Sequence, residues 1–145
     1  MKPKILGIFE KVDFPEFNIT GVDAKIDSGA FTGALHCTKV IQEETKDGSV
    51  IHFSPFDYPK VKISTKNYYI SNVKSSNGIK EKRYVIKTSI TIQGGTYDIL
   101  LSLTNRSNMI NPVIIGRRFI SKHRFLVDVN MSYSKRLIIK RTEKI

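Results

Sequence analysis

Polar and apolar residues alternate along much of the chain, with β-branched and aromatic side chains at the apolar positions, which is the pattern of strands that bury one face. Lys60 to Ile63 and Tyr68 to Val73 read this way, and Tyr84 to Ile92 continues it with Val85, Ile86, Ile90 and Ile92. Gly94-Gly95 then offers the positive backbone angles of a tight hairpin turn, so that Tyr97 to Leu103 should pair back antiparallel. Asp47-Gly48 marks a second hairpin, between a strand near Ala34 to Gln42 and one near Val50 to Phe53. Phe125 to Val129 and Arg136 to Lys140 read as two closing strands, and Phe53 to Pro59 as an irregular loop. Helix is scarce: the best stretch, Arg117 to His123 after Gly116, is about two turns long. Many short strands with turn signals between them predict an all-β barrel or sandwich.

A length of 145 residues fits one domain. Cys37 is the sole cysteine, which excludes an intrachain disulfide and a Cys-rich zinc finger and suits a reducing cytoplasm. The apolar run Ile5 to Phe9 is too short for a secretory signal, and nothing approaches the ~20 apolar residues of a membrane-spanning helix. The expectation is a soluble cytoplasmic protein without a membrane partner. Net charge changes the picture more: at +11, the chain attracts acidic partners. Its basic clusters, Lys80 to Arg83, Arg117 to Arg124 and Lys135 to Lys144, are either solvated faces and a charged tail or a surface for an acidic ligand.

The candidate chemistry lies at Asp27-Ser28-Gly29. By itself the triplet is a common turn. Here it follows the alternating stretch Val22 to Ile26, which puts a half-buried carboxylate where a strand opens into a loop. Lys25-Ile26-Asp27-Ser28-Gly29-Ala30 resembles the active-site loop of retropepsins, and Pro112-Val113-Ile114-Ile115-Gly116-Arg117 resembles their second signature. Lys74-Ser75-Ser76-Asn77-Gly78-Ile79 falls where that fold places the hairpin flap over substrate. A closer resemblance is to a bacterial and archaeal retropepsin-like group, often named ATP-dependent zinc proteases and associated with ribosomal-protein glutamate ligases. Ala24 to His36, Ser75 to Thr88, Leu101 to Met109 and Ile114 to Tyr133 carry it.

That resemblance implies a single domain over 1–145, a closed acid-protease barrel with core about 7–133, one short helix after Gly116 and a basic strand or tail over 134–145. It implies an aspartic endopeptidase with Asp27 as catalytic residue and Ser28, Gly29 and Ala30 as its loop. Ser75, Ser76, Asn77 and Gly78 would form the flap, and Ile115, Gly116 and Arg117 the structural support. Aspartic proteolysis needs two carboxylates a few ångströms apart sharing one proton. One chain supplies one: Asp23 is too near along the same strand, and Asp47, Asp57, Asp98 and Asp128 lack the loop context. The simplest completion is a homodimer that brings Asp27 against its own copy. Lys80, Lys82, Arg83 and Arg106 near the flap favour acidic peptide or protein substrates. Phe31 departs from the resemblance, standing where the group has Arg and retroviral enzymes have Asp, so an ion pair from this loop to Arg117 is absent.

Two further readings are open: a catalytically silent module of the same fold that binds acidic proteins, and a basic RNA-binding barrel offering Tyr58, Tyr68, Tyr69 and Tyr84 for stacking. The RNA reading ranks last, because such tyrosines are ordinary strand and core residues. No metal or other cofactor is expected: His36, Cys37, His52 and His123 show no His-Glu-x-x-His or paired-Cys spacing, adjacent strand residues such as His36 and Cys37 face opposite ways, and no phosphate-binding Gly-Lys-Ser/Thr loop exists.

Overall fold

Among the residues that the computed structural model describes, 4–74, 77–106 and 110–133, the alternating stretches become eleven strands and the stretch after Gly116 becomes one α-helix. In chain order they are β1 (Ile5–Phe14), β2 (Ile19–Ile26), β3 (Gly33–His36), β4 (Val40–Thr45), β5 (Gly48–Phe53), β6 (Ile63–Thr65), β7 (Tyr68–Lys74), β8 (Lys80–Ile92), β9 (Gly95–Thr104), β10 (Val113–Ile115), α1 (Arg117–Lys122) and β11 (Leu126–Ser132). Eight of them form one sheet in the order β11-β1-β2-β10-β3-β9-β8-β7, and β4-β5-β6 form a second. β1 also meets β8, pairing Val12 with Ile92 and Asp13 with Thr91. That contact bends the large sheet round on itself, so the fold is all-β and retropepsin-like. The expected closed barrel is joined at this short seam and is not strictly closed.

Inward-facing residues of both sheets share one core. Leu6, Val12 and Phe14 of β1, Ile86, Ile90 and Ile92 of β8, Leu101 of β9 and Ile51 of β5 are essentially solvent-free. Burial of each such side chain contributes roughly 1.5–3 kcal/mol. Phe14 stacks on Phe17 at 5.5 Å between ring centres, and Phe17 meets Phe53 edge-on at 5.8 Å, which ties the second sheet to the first. At the other end, Phe119 of α1 stacks on Phe125 at 5.5 Å and meets Tyr97 of β9 edge-on at 5.9 Å, holding the helix against the sheet.

Several local outcomes differ from the pattern-based expectations. The single strand expected near Ala34 to Gln42 is two, β3 and β4, in different sheets, because β3 pairs with β9 and β10 while β4 pairs with β5; and the strand expected over Lys60 to Ile63 starts only at Ile63. β1 is a ten-residue strand that the sequence shows only as the apolar run Ile5 to Phe9, because its buried, even-numbered positions include the charged Glu10, which breaks the apolar alternation. The β8–β9 turn is Gln93-Gly94, with φ of 49° and 80°, so Gly95 is already in β9, paired with Ile92. A two-residue turn with both φ values positive matches the twist of the strands, and the hydrogen-bonding register, not the second glycine, fixes its place. By the same one-residue shift Gly48 opens β5, paired with Thr45. The Phe53–Pro59 segment holds a short 3-10 turn, Pro55–Asp57, with Phe56 and Asp57 in the left-handed region. Arg136 to Lys140 lie outside the described residues.

Glu10 joins β1 to the β8–β9 turn. It accepts the Gly7 backbone N–H at 2.8 Å and the Gln93 side-chain N–H at 2.9 Å, while Gln93 also donates to the Ile5 carbonyl at 2.9 Å. Burial pushes the Glu10 carboxyl above its ordinary value of 4.5, and the two hydrogen bonds oppose that shift without cancelling it. With the folded pKa above the unfolded one, the folded chain holds the extra proton, so stability falls as pH rises from about the ordinary value through the raised one. Glu10→Gln removes this titration; melting temperatures taken from pH 4 to 8 should decline less with pH for the variant than for the parent.

Candidate active site

The geometry around Asp27 follows from how β10 is inserted. β2 and β3 are consecutive in sequence yet not neighbours in the sheet, because β10 lies between them. It runs parallel to β2, Val113 to Ile115 beside Ala24 to Ile26, and antiparallel to β3, Ile115 to Val113 beside Gly33 to Leu35. The loop 27–32 that joins β2 to β3 must therefore arch over the end of β10. Backbone hydrogen bonds hold it there: the Asp27 N–H donates to the Ile115 carbonyl at 2.8 Å, Arg117 N–H to the Ala30 carbonyl at 2.7 Å, and Arg118 N–H to the Phe31 carbonyl at 3.0 Å.

Two glycines make this possible. A Cβ on Gly116 would lie 2.7 Å from the carbonyl oxygens of both Ala30 and Phe31, and one on Gly33, whose φ is +92°, would strike the Ile114 carbonyl. Within the loop, the Asp27 Oδ1 accepts the Gly29 backbone N–H at 3.0 Å, and the Ala30 N–H closes back on the Asp27 carbonyl at 3.1 Å. The Arg117 guanidinium donates to the Ser28 carbonyl at 3.3 Å, and its Cζ lies 5.5 Å from the centre of the Phe31 ring, with Arg118 Cζ at 5.4 Å. The ion pair missing from the sequence is thus occupied by a cation–π contact.

Asp27 opens onto a groove of about 840 Å³, walled by the loop, by the stem of the β7–β8 hairpin and by the segment after β9. Tyr69 and Ser71 of β7 sit opposite Val85 and Arg83 of β8, and all four line the groove. Lys25, Arg83 and Arg106 are its cations, and Asp27 is the sole carboxylate among its described lining residues. Of the four basic residues expected beside it, Arg83 and Arg106 line the groove; Lys80 and Lys82 are exposed, with the Lys82 ammonium 5.1 Å from the centre of the Tyr84 ring. At the hairpin tip, Asn77 and Gly78 form the turn, with φ of +83° at Gly78 and the Asn77 Oδ1 accepting the Ile79 N–H at 3.3 Å. Ser75 and Ser76 lie outside the described residues.

Sequence reading did not foresee what places Arg106. Its backbone N–H donates to His36 Nδ1 at 2.7 Å, which leaves the proton of the neutral ring on Nε2, 2.6 Å from an Asp57 carboxylate oxygen. The Arg106 Nε donates to the Asn111 carbonyl at 3.0 Å. Both His36 nitrogens are therefore engaged, as are those of His52, with Ser64 at 2.6 Å and Glu43 at 2.9 Å. Cys37 is buried, its thiol pushed up by that burial. Among the described residues, no three His, Cys, Asp or Glu side chains come together to hold a metal ion, and no helix is long and apolar enough to cross a membrane. Of the four tyrosines, Tyr68 packs on Tyr84 at 6.0 Å and Tyr58 on Phe56 at 6.1 Å, while Tyr69 lines the groove.

Comparison with known proteins finds relatives of the sequence and of the fold. A family model described as RimB-like, retropepsin-like aspartic endopeptidase RimB, fits residues 5–137. A protein of Shewanella pealeana named "Probable alpha-L-glutamate ligase" is 31% identical over 134 residues, 89% of this chain and 29% of that protein. A protein of the same name from Desulfotalea psychrophila is 31% identical over 122 residues, 79% of this chain and 26% of that protein. The chain thus spans less than a third of the length of these relatives. A crystal structure of a Legionella pneumophila protein of unknown function aligns with a TM-score of 0.74 at 26% identity, covering 93% of this chain and 100% of that one.

If the close approach at residue 116 carries the loop, Gly116→Ala should cost about 1–3 kcal/mol, as overpacking against fixed backbone does. Gly29→Ala should cost less, because a Cβ there would meet nothing tighter than Asp27 Oδ1 at 3.2 Å. Urea unfolding of both variants checks the ranking.

Proposed function

The chain belongs to the RimB-like family of retropepsin-like aspartic endopeptidases, and from that premise we propose that it is an aspartic endopeptidase, a single cytoplasmic domain whose active site is completed when Asp27 meets Asp27 of a second copy. The observation that carries the reading is the Asp27 carboxylate, held by the Gly29 N–H at the end of β2 and opening onto a groove with no other described carboxylate. Two such groups brought together share one proton, since like charges so close cannot both ionise. The ionised member takes a proton from water as the water oxygen bonds to the peptide carbonyl carbon, and the protonated member gives its proton to the carbonyl oxygen. Collapse of the tetrahedral species breaks the C–N bond as one carboxyl gives its proton to the departing nitrogen and the other carboxylate takes one from a hydroxyl, which leaves a carboxylic acid, an amine and a dyad that again holds one proton. Ser28 and Ala30 complete the loop, and Ile115, Gly116 and Arg117 support it from behind. Asn77 and Gly78, at the turn of the β7–β8 hairpin, act in the flap, pairing its backbone with an extended substrate and excluding water.

Lys25, Arg83 and Arg106 favour a peptide rich in carboxylates. The relatives' name, a glutamate ligase, supports glutamate-bearing protein segments as that class. A second reading, a silent module that binds the same acidic segments, draws on Asp27 being the only carboxylate among the groove's described lining residues.

Asp27→Asn separates the two. The amide oxygen can still accept the Gly29 N–H, so the fold should stand, while cleavage should fall at least about a hundredfold; a silent module would bind acidic peptide equally well before and after the change. Substrate charge is tested by Lys25→Gln with Arg83→Gln, which should raise KM for glutamate-rich peptides roughly five- to twentyfold, each contact being worth up to about 1 kcal/mol. Equal cleavage of acidic and neutral peptides of one length by the parent would remove the charge preference.

A further inference from the structure

The proposed dyad leaves open how two copies of a chain carrying a net charge of +11 hold together at the loop that must meet. Loop 27–32 reads Asp-Ser-Gly-Ala-Phe-Thr, and its one carboxylate, Asp27, is committed to the dyad. Arg117 and Arg118 flank it, and among the described residues neither forms an ion pair. A two-fold axis here therefore sets guanidinium groups near guanidinium groups with no anion to spare between them. What the loop does offer is Phe31. It is the one large apolar side chain of the loop, 57% exposed, and its ring is held beside the Arg117 and Arg118 guanidiniums.

The ring is close enough to matter. One guanidinium, that of Arg117, reaches both the Ser28 carbonyl and the Phe31 ring, so a single side-chain group separates the ring from the neighbour of Asp27. A standard interface buries about 800 Å² per partner, a disc of roughly 16 Å radius. If the carboxylates meet, the ring lies inside that disc.

Resting on the two-fold reading above, we infer that Phe31 is the contact that locks the two copies: each ring packs on the other copy's loop, between the guanidiniums, and supplies an apolar and cation–π attraction where no ion pair is available. Such a contact differs from an ion pair in its response to salt. Ion pairs weaken as salt rises, whereas an aromatic contact among like charges is helped when the repulsion is screened.

Sedimentation velocity of the full chain at 0.05 M and 0.5 M NaCl is the test. The parent should dimerise as tightly or more tightly at high salt. Phe31→Ala should raise the dissociation constant at least about tenfold, as truncation of a central aromatic anchor does. Phe31→Leu, which keeps an apolar side chain should alanine fail to fold, should weaken the dimer measurably. A Phe31→Ala dimer as tight as the parent, with cleavage and dimerisation of the parent intact, rejects Phe31 as the lock and leaves the dyad standing. So does a parent dimer that falls apart as salt is added. A parent that stays monomeric at every concentration overturns the dyad itself and the lock with it.

Discussion

The arrangement at Asp27 depends on a close approach between backbones. β10 is three residues long, and it occupies the space between two strands that a simple hairpin would have paired directly. With β2 on one side and β3 on the other, the connecting loop has no room to spread, and it is held down by the N–H groups of Asp27, Arg117 and Arg118. Side chains at positions 33 and 116 would occupy the space these hydrogen bonds need. The result is a carboxylate whose position is set by main-chain geometry on both sides. Fixed geometry of this kind lets a functional group act without reorganising.

Support for the groove reaches well beyond the loop. Arg106 follows β9, and its backbone is held by His36 at the end of β3. His36 is in turn oriented by Asp57, which lies in a 3-10 turn with its backbone in the left-handed region. That turn packs through Phe56 against Phe14 of β1. A groove-lining cation is thus positioned by a chain of contacts that ends in the core, which is why a buried histidine, an ordinary metal ligand, does structural work here. The apolar core, the polar string and the charged groove are successive layers of one arrangement.

The parts of this fold that were readable in the chain are those governed by local rules. Strand alternation in β5, β7, β8 and β9, the short helix after Gly116 and the strand-to-loop break at Asp27 all follow from patterns within a few residues. What was not readable depends on distant partners. β1 is hard to read because Glu10 takes a core position, where it accepts hydrogen bonds from Gly7 and from Gln93, eighty-three residues away. The hairpin turns shifted by one residue because cross-strand register decides which glycine takes the positive φ, Gly94 rather than Gly95 in one turn and Gly48 at the start of β5 in the other. Arg83 and Arg106 were noted beside the flap, but Lys25 and Tyr69 join them only once β2 and β7 face one groove. The His36–Asp57 contact spans twenty-one residues with no motif to announce it.

In the proposed two-fold dimer, symmetry gives a reason for the composition of the loop. Only a group lying on a two-fold axis meets its own copy; the proposed dimer puts Asp27 there, and Arg117, which reaches the same loop at the Ser28 carbonyl, is then repeated close to its own copy. For the carboxylates the conflict is useful, because a shared proton resolves it and yields one acid and one base from identical residues. For the arginines no such resolution exists, since a guanidinium does not give up its proton. A ring that presents its face to a cation is among the few side chains that meet both another ring and a guanidinium without penalty. In the proposed dimer Phe31 would satisfy that requirement in a chain whose overall charge already opposes self-association, and it would do so without adding a second carboxylate to compete for the dyad's proton.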